Sequence, residues 1–227
     1  MSKHVLLALS SHAELGDTGR KTGYYVPEAA HPAAAFAKFG YILDFTSPQG
    51  GQPPADGLDG SEDDPVVKAF LDDPVLSRKV AETTRPGGFK PADFDALLYV
   101  GGHGAMWDFP GDADLLKLAA QIYDNGGVIG AVCHGPAALV NLRLRDGSFL
   151  VKGKKVTGFS NEEEEAVGLT DVVPFLLETQ LRSRGADYSA GEKWSPHAVA
   201  DGRLVTGQNP ASATRVGELM ITALGGH

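Results

Sequence analysis

The sequence of 227 residues contains one cysteine, Cys133, and therefore no internal disulfide. One cysteine also excludes a structural zinc site made of cysteines, and a redox cycle that uses a second, resolving cysteine of the same chain. A chain without disulfides suits a reducing compartment, so we expect the protein to be cytoplasmic.

Long apolar runs and positive charge are also scarce. No apolar run approaches the ~20 residues that a membrane-spanning helix needs. The first apolar run, residues 5–9, is too short for the core of a signal peptide. Lys and Arg total 20 against 29 Asp and Glu, which gives a net charge of −9. This balance argues against nucleic acid and against an anionic membrane as partners.

Two kinds of ligand site are not predicted either. The glycine-rich stretch 101–104 follows a predicted strand, but no helix or downstream acid completes a dinucleotide fingerprint. The spacing of His12 and His31 relative to Glu14 and Glu28 matches no standard zinc site. We therefore expect neither a nucleotide cofactor nor a metal ion.

What the sequence does contain is an alternation of short apolar runs and helical patterns, which is typical of an α/β fold. The run 128–132 has no polar face, as in a parallel strand buried on both sides. We predict a single domain over residues 1–227, in which helices sandwich a doubly wound, mostly parallel sheet. Further predicted strands cover residues 4–9, 41–45, 96–100, 155–157, 197–200 and 204–206, and predicted helices cover 29–39, 112–125, 172–184 and a last segment that ends near 224.

Two features depart from this regular pattern. Residues 47–90 form an insertion, in which the loop 47–64 is rich in Gly, Pro and Asp and precedes two short helices, 65–70 and 74–81. We expect this small helical cap to cover the edge of the active site or to contribute to a dimer. The second feature is Pro32, which should lie in the first turn of its helix or split that helix in two.

The centre of the pattern is Cys133, which stands between the strand 128–132 and a predicted helix that begins at Pro136. The chain must turn sharply here, which is the geometry of a nucleophile elbow at the edge where open α/β sheets bind ligands. The helix N-terminus would lower the pKa of the thiol. The alternative is a cysteine that serves as a small core side chain, but the Cys-His-Gly-Pro sequence at this position favours the nucleophile.

Residues 131–135 resemble the nucleophile elbow of the ThiJ/PfpI superfamily, and the whole chain resembles the glyoxalase III and heat-shock chaperone branch of that superfamily. The elbow alone would also fit a glutamine amidotransferase. The complete set of matching segments is specific, and it covers nearly the whole chain in order: residues 22–32, 101–108, 156–164 and 204–212. The resemblance implies a flavodoxin-like, class I glutamine amidotransferase-like fold.

The resemblance also implies catalytic residues. Cys133 is the expected nucleophile, and His134 is the expected general acid or base. The glutamate of the family falls on Glu28, where a carboxyl beside the thiol can donate a hydrogen bond to the thiolate or move a proton of the substrate. Without the resemblance, His134 would be interpreted as a capping side chain at a helix start, and Glu28 as a first-turn acid.

A further acid is expected to orient His134 and to complete a Cys-His-acid triad. The segment 158–161 matches the family segment that precedes this acid, which points to Glu164. Because four glutamates follow one another at 162–165, Glu163 and Glu165 remain alternatives. The other glutamates of the run are expected to stabilise the start of a helix through their negative charge.

The expected pocket lies around the elbow. The backbone N–H groups of Gly102 and His134 are the expected oxyanion hole. His103 and Trp107 are expected to line the pocket, with ordinary packing as the alternative for each. The segment 209–212 matches a family segment near the site and is expected to be structural.

The function implied by the resemblance is that of a cofactor-free glyoxalase III. Such an enzyme converts methylglyoxal and related 2-oxoaldehydes to 2-hydroxy acids such as lactate, here through a hemithioacetal and a thioester of Cys133. A homodimer is implied, with no nucleic-acid or membrane partner. The alternatives are a stress-response holding chaperone and a cysteine peptidase or amidase. A glutamine amidotransferase is disfavoured, because no His-x-Glu pair follows Cys133.

Overall fold

The computed structural model describes residues 2–226. In chain order the strands are β1 (His4–Ala8), β2 (Tyr24–Tyr25), β3 (Ile42–Thr46), β4 (Ala55–Asp56), β5 (Ala96–Tyr99), β6 (Val128–Val132), β7 (Lys155–Val156), β8 (Asp187–Tyr188), β9 (Ala198–Asp201) and β10 (Leu204–Gly207). The α-helices are α1 (Val26–Lys38), α2 (Pro65–Asp72), α3 (Pro74–Ala81), α4 (Ala105–Asp108), α5 (Ala113–Asp124), α6 (Asn161–Ala166), α7 (Leu177–Ser183) and α8 (Ala213–Ala223).

A six-stranded sheet forms the centre of the molecule, with the strand order β3-β1-β5-β6-β10-β9. Every neighbouring pair is parallel except β10 and the edge strand β9, which are antiparallel. Helices flank the sheet: α8 packs on α1 and on β6 and β10, and α5 packs on β5 and β6. The strands β5 and β6 are buried along their whole length, as apolar runs without a polar face predict. The predicted fold class is therefore confirmed.

The helix α1 differs from the prediction at Pro32. It begins at Val26 and continues through Pro32, which lies neither in the first turn nor at a break. The ring removes the N–H that would have bonded the carbonyl oxygen of Glu28. Packing offsets this loss, because α8 crosses α1 here so closely that a Cβ on Gly217 would lie 3.0 Å from the Cα of Pro32.

Two other helix predictions were wrong at their starts. The helix predicted over 172–184 begins only at Leu177, because Pro174 interrupts the earlier part of the segment. The segment after the elbow, Gly135–Val140, is a fully buried 3₁₀ helix and not an α-helix. A 3₁₀ helix is used in short pieces, and this one ends after six residues.

The insertion 47–90 contains the two predicted short helices. Asp64 caps α2 and Asp73 caps α3, each by accepting hydrogen bonds from two backbone N–H groups of its helix. The helix α2 packs on α1, and β4 pairs with β2 directly before α1. The insertion is therefore placed beside the segment that carries Glu28. Within residues 2–226, no helix is both long and apolar enough to cross a membrane.

Candidate active site

Cys133 lies in a strained turn at the carboxyl end of β6. Its φ angle is 58°, in the left-handed region that side chains other than glycine rarely adopt. Two backbone hydrogen bonds hold the turn, because Cys133 N–H donates to the Gly207 carbonyl and its own carbonyl accepts from Phe159. The chain then passes so close to Tyr99 that only glycine fits at Gly135. The Cys133 side chain retains 5% exposure.

A continuous hydrogen-bonded chain runs from Cys133 through His134 to Glu164. The distance from Cys133 Sγ to His134 Nδ1 is 3.4 Å, and His134 Nε2 lies 2.8 Å from Glu164 Oε2. An ionised carboxylate can only accept, so His134 Nε2 carries the hydrogen and the lone pair of Nδ1 faces the thiol. The imidazole is therefore in the tautomer that can take a proton from Cys133.

The helix α6 separates the glutamates of the run 162–165 by direction. Glu163 forms a capping box with Ser160, and its Oε1 accepts from Trp194 N–H and the Asn209 side-chain amide. Glu164, one residue on, points to His134, whereas Glu165 is exposed. The acid that faces His134 is thus Glu164. Asn209 contacts the neighbouring Glu163 instead.

The protonation states of this pair suit a resting base. Although burial alone would raise it, the pKa of Glu164 falls to about 2, because His103 and His134 donate hydrogen bonds to the carboxylate. Burial, followed by the charge that His103 can carry, lowers the pKa of His134 to about 4. At neutral pH the site therefore holds an ionised Glu164 and a neutral His134.

Glu28 lies beside Cys133, in the first turn of α1, and is completely buried. Neither of its carboxyl oxygens meets the geometry of an ordinary hydrogen bond with any group in residues 2–226. Burial raises the pKa of Glu28 to about 8, although the nearby Cys133 thiol and Gly101 N–H counteract part of that rise. Glu28 is therefore mostly protonated at neutral pH.

The pKa of the Cys133 thiol is raised, and the expectation that the following helix would lower it was wrong. Burial and the Glu28 carboxyl raise the thiol pKa, whereas the N–H groups of Gly102 and His134 lower it only in part. A short 3₁₀ helix has too few aligned peptide dipoles to outweigh this desolvation. The resting thiol consequently needs a base, and His134 Nδ1 is the base in contact with it.

The two N–H groups expected to form an oxyanion hole, those of Gly102 and His134, both approach the Cys133 sulfur. Gly102 has a φ angle of 103°, and its Cα lies against the backbone of Gly23 and Tyr25. This close approach requires glycine, because a Cβ would overlap that backbone. The arrangement places two hydrogen-bond donors where an oxyanion next to the sulfur would form.

A substitution at Gly101 tests whether the site tolerates a displacement of the Glu28 or Cys133 side chain. A Cβ at this position would overlap the Glu28 carboxyl and lie 2.8 Å from the Cβ of Cys133. We expect Gly101→Ala to displace one of these side chains and to lower kcat by about tenfold or more, since small misplacements of reacting groups are costly. Gly111→Ala is the matched control, since Gly111 lies in open space and does not have a positive φ angle. Unchanged kcat in Gly101→Ala would show that the site tolerates the shift.

The two predicted pocket residues have different surroundings. His103, 19% exposed, donates from Nε2 to Glu164 Oε1 over 2.9 Å, and its ring lies 4.0 Å from the His134 ring. Trp107 stacks on His12, with ring centroids 5.1 Å apart and planes within 5°. His103 thus joins the hydrogen-bonded chain, whereas Trp107 packs on the core and stacks on a side chain of the loop that follows β1.

Sequence reasoning did not single out two aromatic residues near the site. The Phe159 ring lies 4.3 Å from the His134 ring, and Trp194, with a φ angle of 64°, lies 5.8 Å beyond Phe159. Phe159 belongs to the matched segment 156–164, so that match was an available signal. Trp194 lies in a loop, and its sequence surroundings gave no indication of this position.

The side chains of His103, His134 and Glu164 have potential ligand atoms within 4.8 Å of one another. In each imidazole, however, the nitrogen that faces the carboxylate donates a hydrogen bond to it. These nitrogens carry hydrogens and present no lone pair. The three side chains thus satisfy one another by hydrogen bonds.

The comparisons with known proteins agree with this architecture. "Glyoxalase 3" of Candida albicans is 38% identical over 96% of this chain and 97% of its own length, and "Glutathione-independent glyoxalase HSP31" of Saccharomyces cerevisiae is 35% identical over 98% of each. The crystal structure of glyoxalase III from Candida albicans matches with a TM-score of 0.90 at 36% identity, over 97% of each chain.

The 24 kDa rapid encystment protein of Francisella tularensis matches with a TM-score of 0.93 at 39% identity, over 98% of this chain and 99% of its own. The model of the DJ-1/PfpI family matches residues 27–223, which contain every candidate catalytic side chain described above. The chain therefore belongs to the DJ-1/PfpI family.

Proposed function

We propose that this protein is a cofactor-independent glyoxalase III, which converts methylglyoxal and related 2-oxoaldehydes to 2-hydroxy acids. The observation that carries the proposal is the Cys133–His134–Glu164 chain beside a buried Glu28, in a protein similar over nearly its whole length to curated glutathione-independent glyoxalases. The net reaction adds one water to methylglyoxal and gives lactate. It is an internal redox reaction, so no external oxidant is needed.

The first step forms a carbon–sulfur bond. Neutral His134 takes the thiol proton through Nδ1 as Cys133 Sγ adds to the aldehyde carbon, and Glu164 stabilises the imidazolium that results. The N–H groups of Gly102 and His134 stabilise the oxyanion formed from the aldehyde oxygen. His134 then returns the proton to that oxygen, which leaves a neutral hemithioacetal.

The second step moves a hydrogen between neighbouring carbons. Ionised Glu28 removes the proton from the carbon bonded to sulfur, which gives an enediolate, and returns that proton to the neighbouring carbon, while the hydroxyl proton of the hemithioacetal passes to the former ketone oxygen. The product is a thioester of the 2-hydroxy acid. We assign this transfer to Glu28 because its carboxyl lies beside the sulfur and has a pKa of about 8, close to working pH. In the third step water, activated by His134, breaks the thioester and restores the thiol.

The reaction is tested by incubating the purified protein with methylglyoxal, with neither glutathione nor added metal, and measuring methylglyoxal loss and lactate gain. We expect lactate to form in the amount that methylglyoxal is lost. Loss of methylglyoxal without lactate, or no loss at all, would refute the proposed reaction. A panel of peptide and amide substrates in the same assay separates a peptidase or amidase from a glyoxalase.

The pH dependence of kcat/KM separates the two roles of Glu28. If ionised Glu28 is the carbon base, kcat/KM should rise with pH through about 8, since burial holds the pKa of Glu28 there in the free protein. A kcat/KM that falls through the same range would show that protonated Glu28 acts instead, as a hydrogen-bond donor. Stopped-flow measurement of methylglyoxal loss from pH 6 to 9, at substrate concentrations well below KM, gives this profile.

We further propose that the protein acts in the cytoplasm as a homodimer. A reducing compartment keeps the one cysteine available as a thiol. Light scattering coupled to size-exclusion chromatography measures the mass directly, and a monomer mass at micromolar concentration would contradict the dimer. The part of the insertion 47–90 in a dimer stays a prediction.

A further inference from the structure

We propose that His103 is a positioning residue that sets the basicity of His134 through the Glu164 carboxylate that both imidazoles share. The inference rests on the proposed function in one respect, because it takes neutral His134 to be the base. In the mechanism above, His103 takes no step of its own. Its part would be to lower the basicity of His134, so that the imidazolium formed when the thiol attacks gives up its proton readily.

The first support is the geometry of the shared carboxylate. Glu164 Oε2 accepts from His134 over 2.8 Å, and Oε1 accepts from His103 over 2.9 Å, so each oxygen serves one ring. Two donors from different elements hold the carboxylate in one orientation. One of them follows β5 and the other follows β6, which are neighbours in the sheet. Glu164 is consequently fixed where it meets Nε2 of His134.

The second support is the difference in exposure between the two rings. The side chain of His134 is completely buried, whereas that of His103 is 19% exposed. The rings lie 4.0 Å apart with planes inclined by 39°, and Phe159 packs near both. His103 is therefore the imidazole of the pair that borders solvent, and His134 lies behind it.

These contacts weaken His134 as a base in two ways. The hydrogen bond from His103 draws negative charge from Glu164, which then stabilises an imidazolium at His134 less strongly. When His103 binds a second proton, its positive charge also opposes a charge on the neighbouring ring. Among the charged groups that face His134, Glu164 and Glu163 raise its pKa, whereas His103 lowers it together with burial. The Cys133 thiol occupies Nδ1.

Two variants separate the hydrogen bond from the charge. His103→Gln has a side-chain amide that can donate to Glu164 but never carries a charge, and His103→Leu removes both properties. We expect the pKa of His134 to rise by about one unit in His103→Leu, the usual effect of a charge at this range, and by less in His103→Gln. Imidazole NMR titration without substrate, assigned with His134→Gln, measures these values.

His134 should add a second inflection to the methylglyoxal turnover profile, at lower pH than that of Glu28, and this lower inflection should move to higher pH by the same amount as the His134 titration in each variant. His31→Gln is the matched control. His31 also pairs with a carboxylate, since it lies 2.8 Å from Asp64, but its partners Asp64 and Thr214 do not belong to the hydrogen-bonded chain of the site. We expect His31→Gln to change neither the His134 titration nor the profile. A structural role alone would lower the melting temperature of the His103 variants without moving either curve.

An unchanged titration of His134 in folded His103→Gln and His103→Leu would overturn the inference. Should His103→Leu not fold, His103→Gln alone decides, since the loss of the charge predicts a shift by itself. The NMR measurement needs no substrate, so the two proposals fail separately. A shifted titration in a protein that does not consume methylglyoxal would support the positioning role and refute the proposed function.

Discussion

Replacing Cys133 by serine is expected to reduce lactate formation from methylglyoxal to background, a loss on the order of 10⁴-fold or more. The hemithioacetal and the thioester both need a sulfur at this position. A serine hydroxyl would face the same His134 Nδ1 but is a far weaker nucleophile and a poorer leaving group. Methylglyoxal loss and lactate gain are measured together, at saturating substrate.

The fold should survive this substitution. Serine replaces sulfur by a smaller oxygen, keeps a hydrogen-bond donor toward His134 and adopts the same strained φ angle, so unfolding free energy should change by about 1 kcal/mol. His31→Gln, purified in parallel, controls for the effect of a substitution outside the site, and a mock preparation measures contaminating activity. Lactate formation by Cys133→Ser above that of a mock preparation would mean that the reaction does not pass through the sulfur.

A covalent intermediate can also be sought directly. Because Cys133 is the one cysteine of the chain, any thiol adduct in the intact protein reports this residue. Acid quenching during turnover should trap wild-type protein with one added methylglyoxal unit, and Cys133→Ser with none. The absence of an adduct in both, despite turnover, would favour a route in which the sulfur only orients the substrate.

Much of the sheet could be predicted because its signals are local. The strands β5 and β6 lack a polar face, and that pattern is enough to place them in the buried centre of a parallel sheet. The caps Asp64, Asp73 and Asp112 stand directly before their helices, where side-chain oxygens satisfy free N–H groups. The elbow is equally local, since strand, Cys133 and Gly135 follow one another without a gap.

The predictions that were wrong or left alternatives open depend on contacts between segments that are far apart in the sequence. His103 and Glu164 are 61 residues apart, and no spacing rule joins them before the fold exists. Glu164 is distinguished from Glu163 by the direction in which α6 presents each, which the capping box at Ser160 fixes. The predicted direction of the shift in the Cys133 thiol pKa was wrong, because desolvation by the surrounding core outweighs the effect of a short helix end.

Pro32 shows that a local argument is equally limited in predicting where a helix ends. Proline inside a helix removes a hydrogen bond, and a local argument correctly counts that loss. It cannot count the close crossing of α1 and α8 at Gly217, which comes from residues far along the chain. Tertiary packing therefore decides whether the helix continues.

Replacing Glu28 by glutamine is expected to lower kcat by about 10²- to 10⁴-fold, because an amide of nearly the same shape cannot transfer a proton. Alkylation of Cys133 by iodoacetamide should continue, since the sulfur and His134 are untouched. The contrast between lost turnover and retained alkylation would place Glu28 in the proton transfer. Lost alkylation would instead show that Glu28 supports the sulfur.

The same substitution should stabilise the fold at neutral pH. The pKa of Glu28 is raised from 4.5 to about 8 in the folded protein, so below pH 4.5 the residue is protonated in both states. Between these values the unfolded chain releases a proton that the folded protein keeps, which lowers the unfolding free energy by about 1.4 kcal/mol per pH unit. Glutamine cannot ionise, so Glu28→Gln should gain about 3 kcal/mol relative to wild type at pH 7.

Glu164→Gln is the matched control, because its expected change in unfolding free energy has the opposite sign. Its hydrogen bonds lower the pKa of Glu164 to about 2, so the carboxylate adds stability above the unfolded value of 4.5 that is lost as pH falls toward 2. Glu164→Gln should therefore be less stable than wild type at pH 7, whereas Glu28→Gln should be more stable. Urea unfolding of the three proteins from pH 4 to 8 measures both differences. A gain for Glu28→Gln that does not grow with pH would mean that the buried carboxyl is stabilised in its ionised form, and that the site is organised around a negative charge at Glu28 and not around a protonated carboxyl.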